Sequence, residues 1–157
     1  MGKEINLSLK PGDPAPDFAS QTSDGSTVKL ADLRGQPIVL YFYPKDDTPG
    51  CTQEACAFRD IYPQIRKKGA IVLGVSVDSL KSHKKFTEKF QLPFPLLADE
   101  GKQVVTAYGV WGEKVFMGRK YQGTQRVTFL IGADGRIKNI WPKVKPEQHA
   151  AEVLAAL

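Results

Sequence analysis

Three observations in the sequence predict an α/β fold with a mixed central sheet flanked by helices. Two short runs, 38–43 and 70–76, are apolar at nearly every position and rich in β-branched residues, the pattern of strands buried on both faces. Between them apolar residues recur at helical spacing, so strand, helix and strand follow one another as in a βαβ unit. Two Asp-Gly pairs, Asp24-Gly25 and Asp134-Gly135, each sit between strand-forming residues and signal antiparallel hairpins. Parallel and antiparallel pairings in one chain argue against a purely parallel sheet.

In chain order, Pro11, Pro14 and Pro16 make an extended lead-in, and segments 18–21 and 26–30 form the first hairpin around Asp24-Gly25. Residues 38–43, after Pro37, form the central strand. The segment 51–68 carries Ala55, Phe58, Ile61, Tyr62 and Ile65 on one helical stripe and ends in Arg66, Lys67, Lys68 and Gly69, a basic C-terminus with a glycine stop. Pro63 is expected to kink it. A strand at 70–76 follows, then a helix over 79–90 opened by Asp78 or Ser79, and a short helix over 103–108. Segments 126–131 and 136–141 form the second hairpin, and Pro146 opens a last amphipathic helix through Val153 and Leu154. No repeat or low-complexity segment interrupts this order, and 157 residues with an apolar share of 41% suit one domain over 1–157 with a substantial core.

No stretch approaches the roughly 20 apolar residues of a membrane span, and residues 1–10 lack the apolar core of a signal peptide, so a cytoplasmic protein is expected. The triplet Asn6-Leu7-Ser8 matches a glycosylation acceptor by chance in that setting. The net charge of +5 arises from basic residues interleaved with acids. One cluster, Lys81, His83, Lys84, Lys85 and Lys89, reads as a solvated helix face rather than a nucleic-acid footprint.

Chemistry concentrates where the central strand turns into the first helix. Ligands commonly sit at that end of such strands. Cys51 falls in the first helical turn, where free amides and the positive helix end favour a thiolate, the nucleophilic form of a cysteine. Gly50 permits close backbone approach, and Pro49 stiffens the loop without adding a competing donor. Thr48 stands three residues before Cys51; its hydroxyl either caps the helix or meets a small oxygen-bearing substrate beside the sulfur. Cys56 is the other cysteine of the chain, read either as a redox partner or as a small buried residue between Ala55 and Ala57. Ideal helix geometry sets the two α-carbons about 8.6 Å apart, roughly 140° around the axis. A disulfide needs less than about 7 Å, so oxidation would have to unwind the start of the helix. Glu54 reads as a helix-surface or locally hydrogen-bonded residue, and the two histidines, His83 and His149, as surface residues.

The run Tyr41-Phe42-Tyr43-Pro44-Lys45-Asp46-Asp47-Thr48-Pro49-Gly50-Cys51-Thr52 resembles the active-site segment of peroxiredoxins, specifically the bacterioferritin comigratory protein or peroxiredoxin Q subgroup. The segments Gly12-Asp13-Pro14-Ala15-Pro16-Asp17-Phe18, Gly74-Val75-Ser76-Val77-Asp78 and Arg126-Val127-Thr128-Phe129-Leu130-Ile131 extend the resemblance over nearly the whole chain. It implies a thioredoxin-like fold with an N-terminal β-hairpin extension. It also implies a thiol peroxidase acting on hydrogen peroxide and organic hydroperoxides, with Pro44, Thr48, Cys51 and Arg126 as the catalytic quartet. In that scheme Pro44 shields the sulfur, Thr48 orients the peroxide, and Arg126 stabilises both thiolate and developing oxyanion. Cys51 becomes a sulfenic acid, and Cys56 resolves it as an intramolecular disulfide reduced by thioredoxin or a related dithiol. No cofactor or metal is called for. With no late cysteine and no Tyr-Phe extension, the resemblance implies a monomer, or at most a weak dimer, resistant to overoxidation.

Two other assignments compete for the same residues. A thioredoxin-type oxidoreductase spaces its cysteines by two residues, where this chain has four, and it carries a proline where Arg126 stands. A zinc site from Cys51, Cys56, His83 and His149 lacks recognisable spacing. The alternative of another class is a basic non-enzymatic binding module, which predicts no peroxide consumption and a salt-dependent affinity for nucleic acid.

Overall fold

The computed structural model describes residues 7–157. Asn6 of the acceptor triplet and most of the 1–10 segment lie outside the described residues. The chain opens with a hairpin of β1 (Ala19–Gln21) and β2 (Thr27–Lys29), paired antiparallel, with Gly25 at φ +86° in the turn. A 3₁₀ turn at Leu30–Leu33 leads to β3 (Ile38–Phe42). Helix α1 (Pro49–Lys67), β4 (Ile71–Ser76), α2 (Leu80–Phe90), β5 (Leu96–Ala98) and α3 (Gln103–Ala107) follow. A second hairpin, β6 (Trp111–Phe116) and β7 (Arg119–Thr124), precedes β8 (Val127–Ile131), β9 (Ile137–Trp141) and α4 (His149–Ala156).

The central sheet has the order β5-β4-β3-β8-β9. Strands β3, β4 and β5 run parallel, whereas β8 pairs antiparallel with both β3 and β9. The mixed sheet expected from the sequence is therefore present, and β3 is its middle strand. All five β3 residues are buried, and they alternate between two cores. Val39 and Tyr41 pack against α1, α2 and α4 through Phe58, Phe86 and Val153, while Ile38, Leu40 and Phe42 pack on the other face with Val105, Tyr108 and Phe129. The continuous apolar run of β3 follows directly from this two-sided burial.

Two of the local signals act as read. Ser79 caps α2 by accepting from the Ser82 amide at 3.1 Å, and α1 ends where Gly69 adopts φ +80°. Helix α1 continues through Pro63, and α4 begins at His149, which corrects the expectation that Pro146 opens it: residues 146–148 form a turn ahead of the helix. Strand β5 and the β6–β7 hairpin are additions to the elements read from the sequence. Among the described residues no helix is long and apolar enough to cross a membrane.

Candidate active site

Strand β3 delivers the chain to a loop at 43–48, and α1 starts at Pro49, in the first turn where a missing amide proton costs no helical bond. Thr48 stands at the helix cap with extended backbone, but its hydroxyl donates to the Lys45 carbonyl at 2.9 Å instead of capping an amide. The lone pairs of that hydroxyl are left to accept.

Cys51 lies in this first turn and is buried. Arg126, in the link between β7 and β8, reaches across to it: Nη2 donates to Cys51 Sγ at 3.2 Å and Nη1 to Glu54 Oε1 at 2.8 Å. Gly50 makes this crossing possible, because a β-carbon there would lie 3.2 Å from Nη2. Burial opposes the charge on Arg126, yet Glu54 and Cys51 together outweigh it and hold its pKa above the ordinary value. The guanidinium is thus a fixed cation aimed at the sulfur.

Glu54 corrects the sequence expectation of a helix-surface or locally hydrogen-bonded residue. It is fully buried, on the same helix face as Cys51, and its partner lies 72 positions away in the chain. Burial pushes its pKa up to about 7 against the opposing pull of Arg126, and Oε2 has no hydrogen-bond partner among the described residues.

The histidines are corrections too, since both are buried. His149 exchanges a hydrogen bond with Thr128 Oγ1 at 2.7 Å through Nε2 and meets Phe58 and Trp141 edge-on. Burial, aided by Arg126, lowers its pKa to about 4, so its ring is neutral at pH 7. His83 turns inward from a helix whose lysines face solvent. Its Nε2 donates to the Leu97 carbonyl at 2.9 Å, and Nδ1 meets Asp46 Oδ2 at 2.6 Å. Asp46 also accepts from Tyr43 Oη at 2.6 Å and Ser82 Oγ at 2.8 Å, while Asp78 accepts from the Asp46 amide at 2.9 Å and Ser76 Oγ at 2.6 Å. This network pins the 43–48 loop to β4 and α2. The ligand atoms of Asp46, Asp78 and His83 lie within 4.8 Å of one another, but internal hydrogen bonds already engage them.

Cys56 sits five residues beyond Cys51 on the same unbroken helix, partly exposed, and both thiols are free. Pro44 is half-buried in the loop. Of the residues singled out from the sequence, Cys51 and Arg126 are in direct contact, Thr48 stands at the mouth of the same helix, and Cys56 lies on a different side of it.

A buried cysteine at a helix N-terminus, set after the middle strand of a mixed sheet and held by an arginine, defines a thiol-based redox enzyme of thioredoxin-like fold. A family model described as the AhpC/TSA family matches residues 11–140. The chain is 50% identical over 151 residues to a putative peroxiredoxin of Coxiella burnetii, covering 96% of this chain and 100% of that one. It is 47% identical to a peroxiredoxin of Bacillus subtilis over 151 residues, 96% of each chain. The structure of the Xanthomonas campestris bacterioferritin comigratory protein, studied for alkyl peroxide reduction activity, superposes with a TM-score of 0.86 at 39% identity and covers 96% of both chains. This chain belongs to the AhpC/TSA family, among its peroxiredoxins, and is a thiol peroxidase. The reading as a basic binding module finds no support in these relatives.

Proposed function

We propose that Cys51 is the peroxidatic nucleophile, Arg126, Thr48 and Pro44 its catalytic surroundings, and Cys56 the resolving thiol. The contact of Arg126 Nη2 with Cys51 Sγ at 3.2 Å carries the reading. A thiolate is the better acceptor for that donor, and the same guanidinium is at hand for the oxygen that gains charge as the peroxide bond breaks. Thr48 spends its proton on Lys45, so it meets the peroxide as an acceptor and turns the O–H oxygen toward the sulfur. Pro44 covers the site from water. The thiolate attacks that oxygen, the O–O bond breaks, and the departing alkoxide takes a proton, leaving Cys51 as a sulfenic acid and releasing an alcohol, or water from hydrogen peroxide.

Cys56 then attacks the sulfenic sulfur as a thiolate, and hydroxide leaves as water after gaining a proton. Five residues of α-helix hold the two α-carbons about 8.6 Å apart, so this step requires the first turns of α1 to open. The substrates are hydrogen peroxide and organic hydroperoxides, in keeping with the alkyl peroxide reduction described for the Xanthomonas relative. The reductant is thioredoxin or a similar dithiol protein. The whole chain acts as one domain and as a monomer, in a reducing compartment such as the cytosol. Both cysteines of the chain belong to α1, which supports an intramolecular disulfide.

The test is the intact mass of the reduced protein after one equivalent of hydrogen peroxide, quenched without added thiol. Wild type is expected to lose about 2 Da, Cys56→Ser to gain about 16 Da, and Cys51→Ser to stay unchanged. An unchanged wild type, or a mass loss that survives Cys51→Ser, overturns the assignment.

A further inference from the structure

We propose that the face of the β6–β7 hairpin bearing Lys114, Phe116, Arg119 and Tyr121 is the docking surface for the reductant of the oxidised enzyme, and that this partner is an acidic dithiol protein with apolar surface beside its thiols. The proposal rests on the reading that Cys51 and Cys56 form a disulfide.

The register defines the face. Gly112 opposes Gly123, Lys114 opposes Tyr121 and Phe116 opposes Arg119, and directly opposed residues of an antiparallel pair project to the same side. The inner end of this face abuts the site. Lys114 lies flat over Gly123, where a β-carbon would come 3.0 Å from its Cδ, and donates to the Thr124 carbonyl at 3.1 Å, two residues before Arg126. Burial lowers the Lys114 pKa, the positive Arg126 lowers it further, and Cys51 opposes both, which marks Lys114 as a near neighbour of the reacting pair.

Farther out the face becomes apolar. Tyr121 is 46% and Phe116 67% exposed, Met117 at the tip is 87% exposed, and Val115 on the opposite face is 46% exposed. These are the exposed large apolar side chains among the described residues, and all belong to one hairpin. A two-stranded ribbon with uncovered aromatics gains nothing by itself from showing them to water, and such patches mark interaction sites. Of the two charges on this face, Arg119 is exposed and Lys114 half-buried. Among the described residues no carboxylate pairs with Lys114 or Arg119, whereas Lys120 on the other face reaches Glu113 at 3.7 Å.

Charge selects the occupant. A second copy docked by the same face across a two-fold axis would set Lys114 and Arg119 against their own equivalents in a protein of net charge +5. An acidic partner complements them. The chemistry of the disulfide also demands a visiting dithiol. A thiolate of the partner attacks one sulfur of the Cys51–Cys56 disulfide, forming a mixed disulfide and releasing the other cysteine as a thiolate that takes up a proton. The partner's second thiol, as a thiolate, then attacks the mixed disulfide and releases the remaining cysteine. The enzyme gains two electrons, and the partner leaves as a disulfide. An encounter that must end after each turnover needs only a small interface.

The experiment compares turnover supported by reduced thioredoxin, as the protein dithiol, with turnover supported by dithiothreitol. Arg119→Glu and the double variant Phe116→Ser/Met117→Ser are each expected to lower the ratio of the two by about tenfold through KM for thioredoxin, and added salt should raise that KM in wild type. Lys120→Glu, on the opposite face, should leave the ratio where it is. An unchanged ratio in both hairpin variants overturns the proposal. So does a concentration-dependent dimer in sedimentation that the double variant abolishes, which would make the face a self-association surface. A wild type that fails to lose about 2 Da with peroxide overturns the disulfide reading and this proposal with it, and the mass measurement tells that failure from a failure of docking.

Discussion

Two buried charged clusters flank the loop between β3 and α1, and they follow opposite rules. On one side Asp46 accepts from Tyr43 and Ser82 and meets His83, while Asp78 holds the Asp46 amide, so the cluster is internally satisfied. On the other side Arg126 serves both Glu54 and Cys51, yet Glu54 Oε2, Tyr41 Oη and His149 Nδ1 lack partners among the described residues. Satisfied buried networks fix a conformation, and orphaned groups are costs that a fold retains where chemistry needs them. The first cluster anchors the loop, and the second holds the residues proposed to react.

The largest effect expected from this contrast is on stability. Asp46→Asn removes the carboxylate and leaves His83 without its charged partner, a change that costs about 3–5 kcal/mol when one member of a buried pair is lost. Urea unfolding measures it. A loss below about 1 kcal/mol would remove the anchoring role and the contrast with it.

Arg126→Met tests the reactive side. Removing a donor aimed at developing negative charge is expected to slow sulfenic acid formation by about 10²–10³-fold, read in single-turnover mixing with peroxide. Stability should change far less than for Asp46→Asn near pH 6, because Glu54, already raised to about 7, keeps its proton when the arginine is gone. Comparable unfolding costs for the two variants would show that both clusters are structural.

Much of this was legible in the sequence, and what was hidden has physical causes. The β3, α1 and β4 series and both Asp-Gly hairpins rest on strong local patterns, and the pairing of Arg126 with Cys51 comes only with the family resemblance. Strand β5 spans three residues, Leu96–Ala98, too short for any periodicity. The β6–β7 hairpin turns at Met117 and Gly118, both with positive φ, and carries no Asn-Gly or Asp-Gly pair to announce it. Its strands also alternate charged and apolar residues on both faces. His83 hid among lysines, although it shares the inner stripe of α2 with Phe86 and Phe90 at helical spacing. Glu54 lies beside Ala55 and Phe58 on the buried face of α1, a position that a carboxylate occupies only with a partner, and that partner is 72 positions away.

Titration separates the orphaned groups of the reactive side. Glu54 has a folded-state pKa of about 7 against an ordinary 4.5, so as pH rises from 4.5 to 7 the unfolded chain loses its proton first and the native state loses up to about 3 kcal/mol. His149 acts in the opposite sense, with a folded value of about 4 against 6.5, so the native state loses a similar amount as pH falls from 6.5 to 4. In wild type the two slopes largely cancel between pH 4.5 and 6.5. Glu54→Gln is expected to expose the His149 slope, with stability falling as pH falls, and His149→Asn the reverse. Denaturant midpoints at pH 5 and 6.5 check both signs, and parallel pH profiles in the two variants would contradict the assignment.

The smallest effect expected on stability comes from Gly50→Ala, and it separates helix propensity from chemistry. Gly50 has no positive φ to protect, and alanine in a helix is favoured over glycine by up to about 1 kcal/mol, so α1 should become slightly more stable. The new methyl group would press on Arg126 Nη2 from 3.2 Å, closer than most such contacts allow, and the guanidinium would have to yield by a few tenths of an ångström. Because Nη2 is the atom that donates to Cys51, the peroxide step is expected to slow several-fold while the unfolding midpoint holds or rises slightly, since positioning errors below 1 Å weaken a directed hydrogen bond before they disturb packing. A variant that gains stability and keeps the full peroxide rate would show that Arg126 has slack at the sulfur, and that Gly50 is retained for the ease with which the first turn of α1 opens.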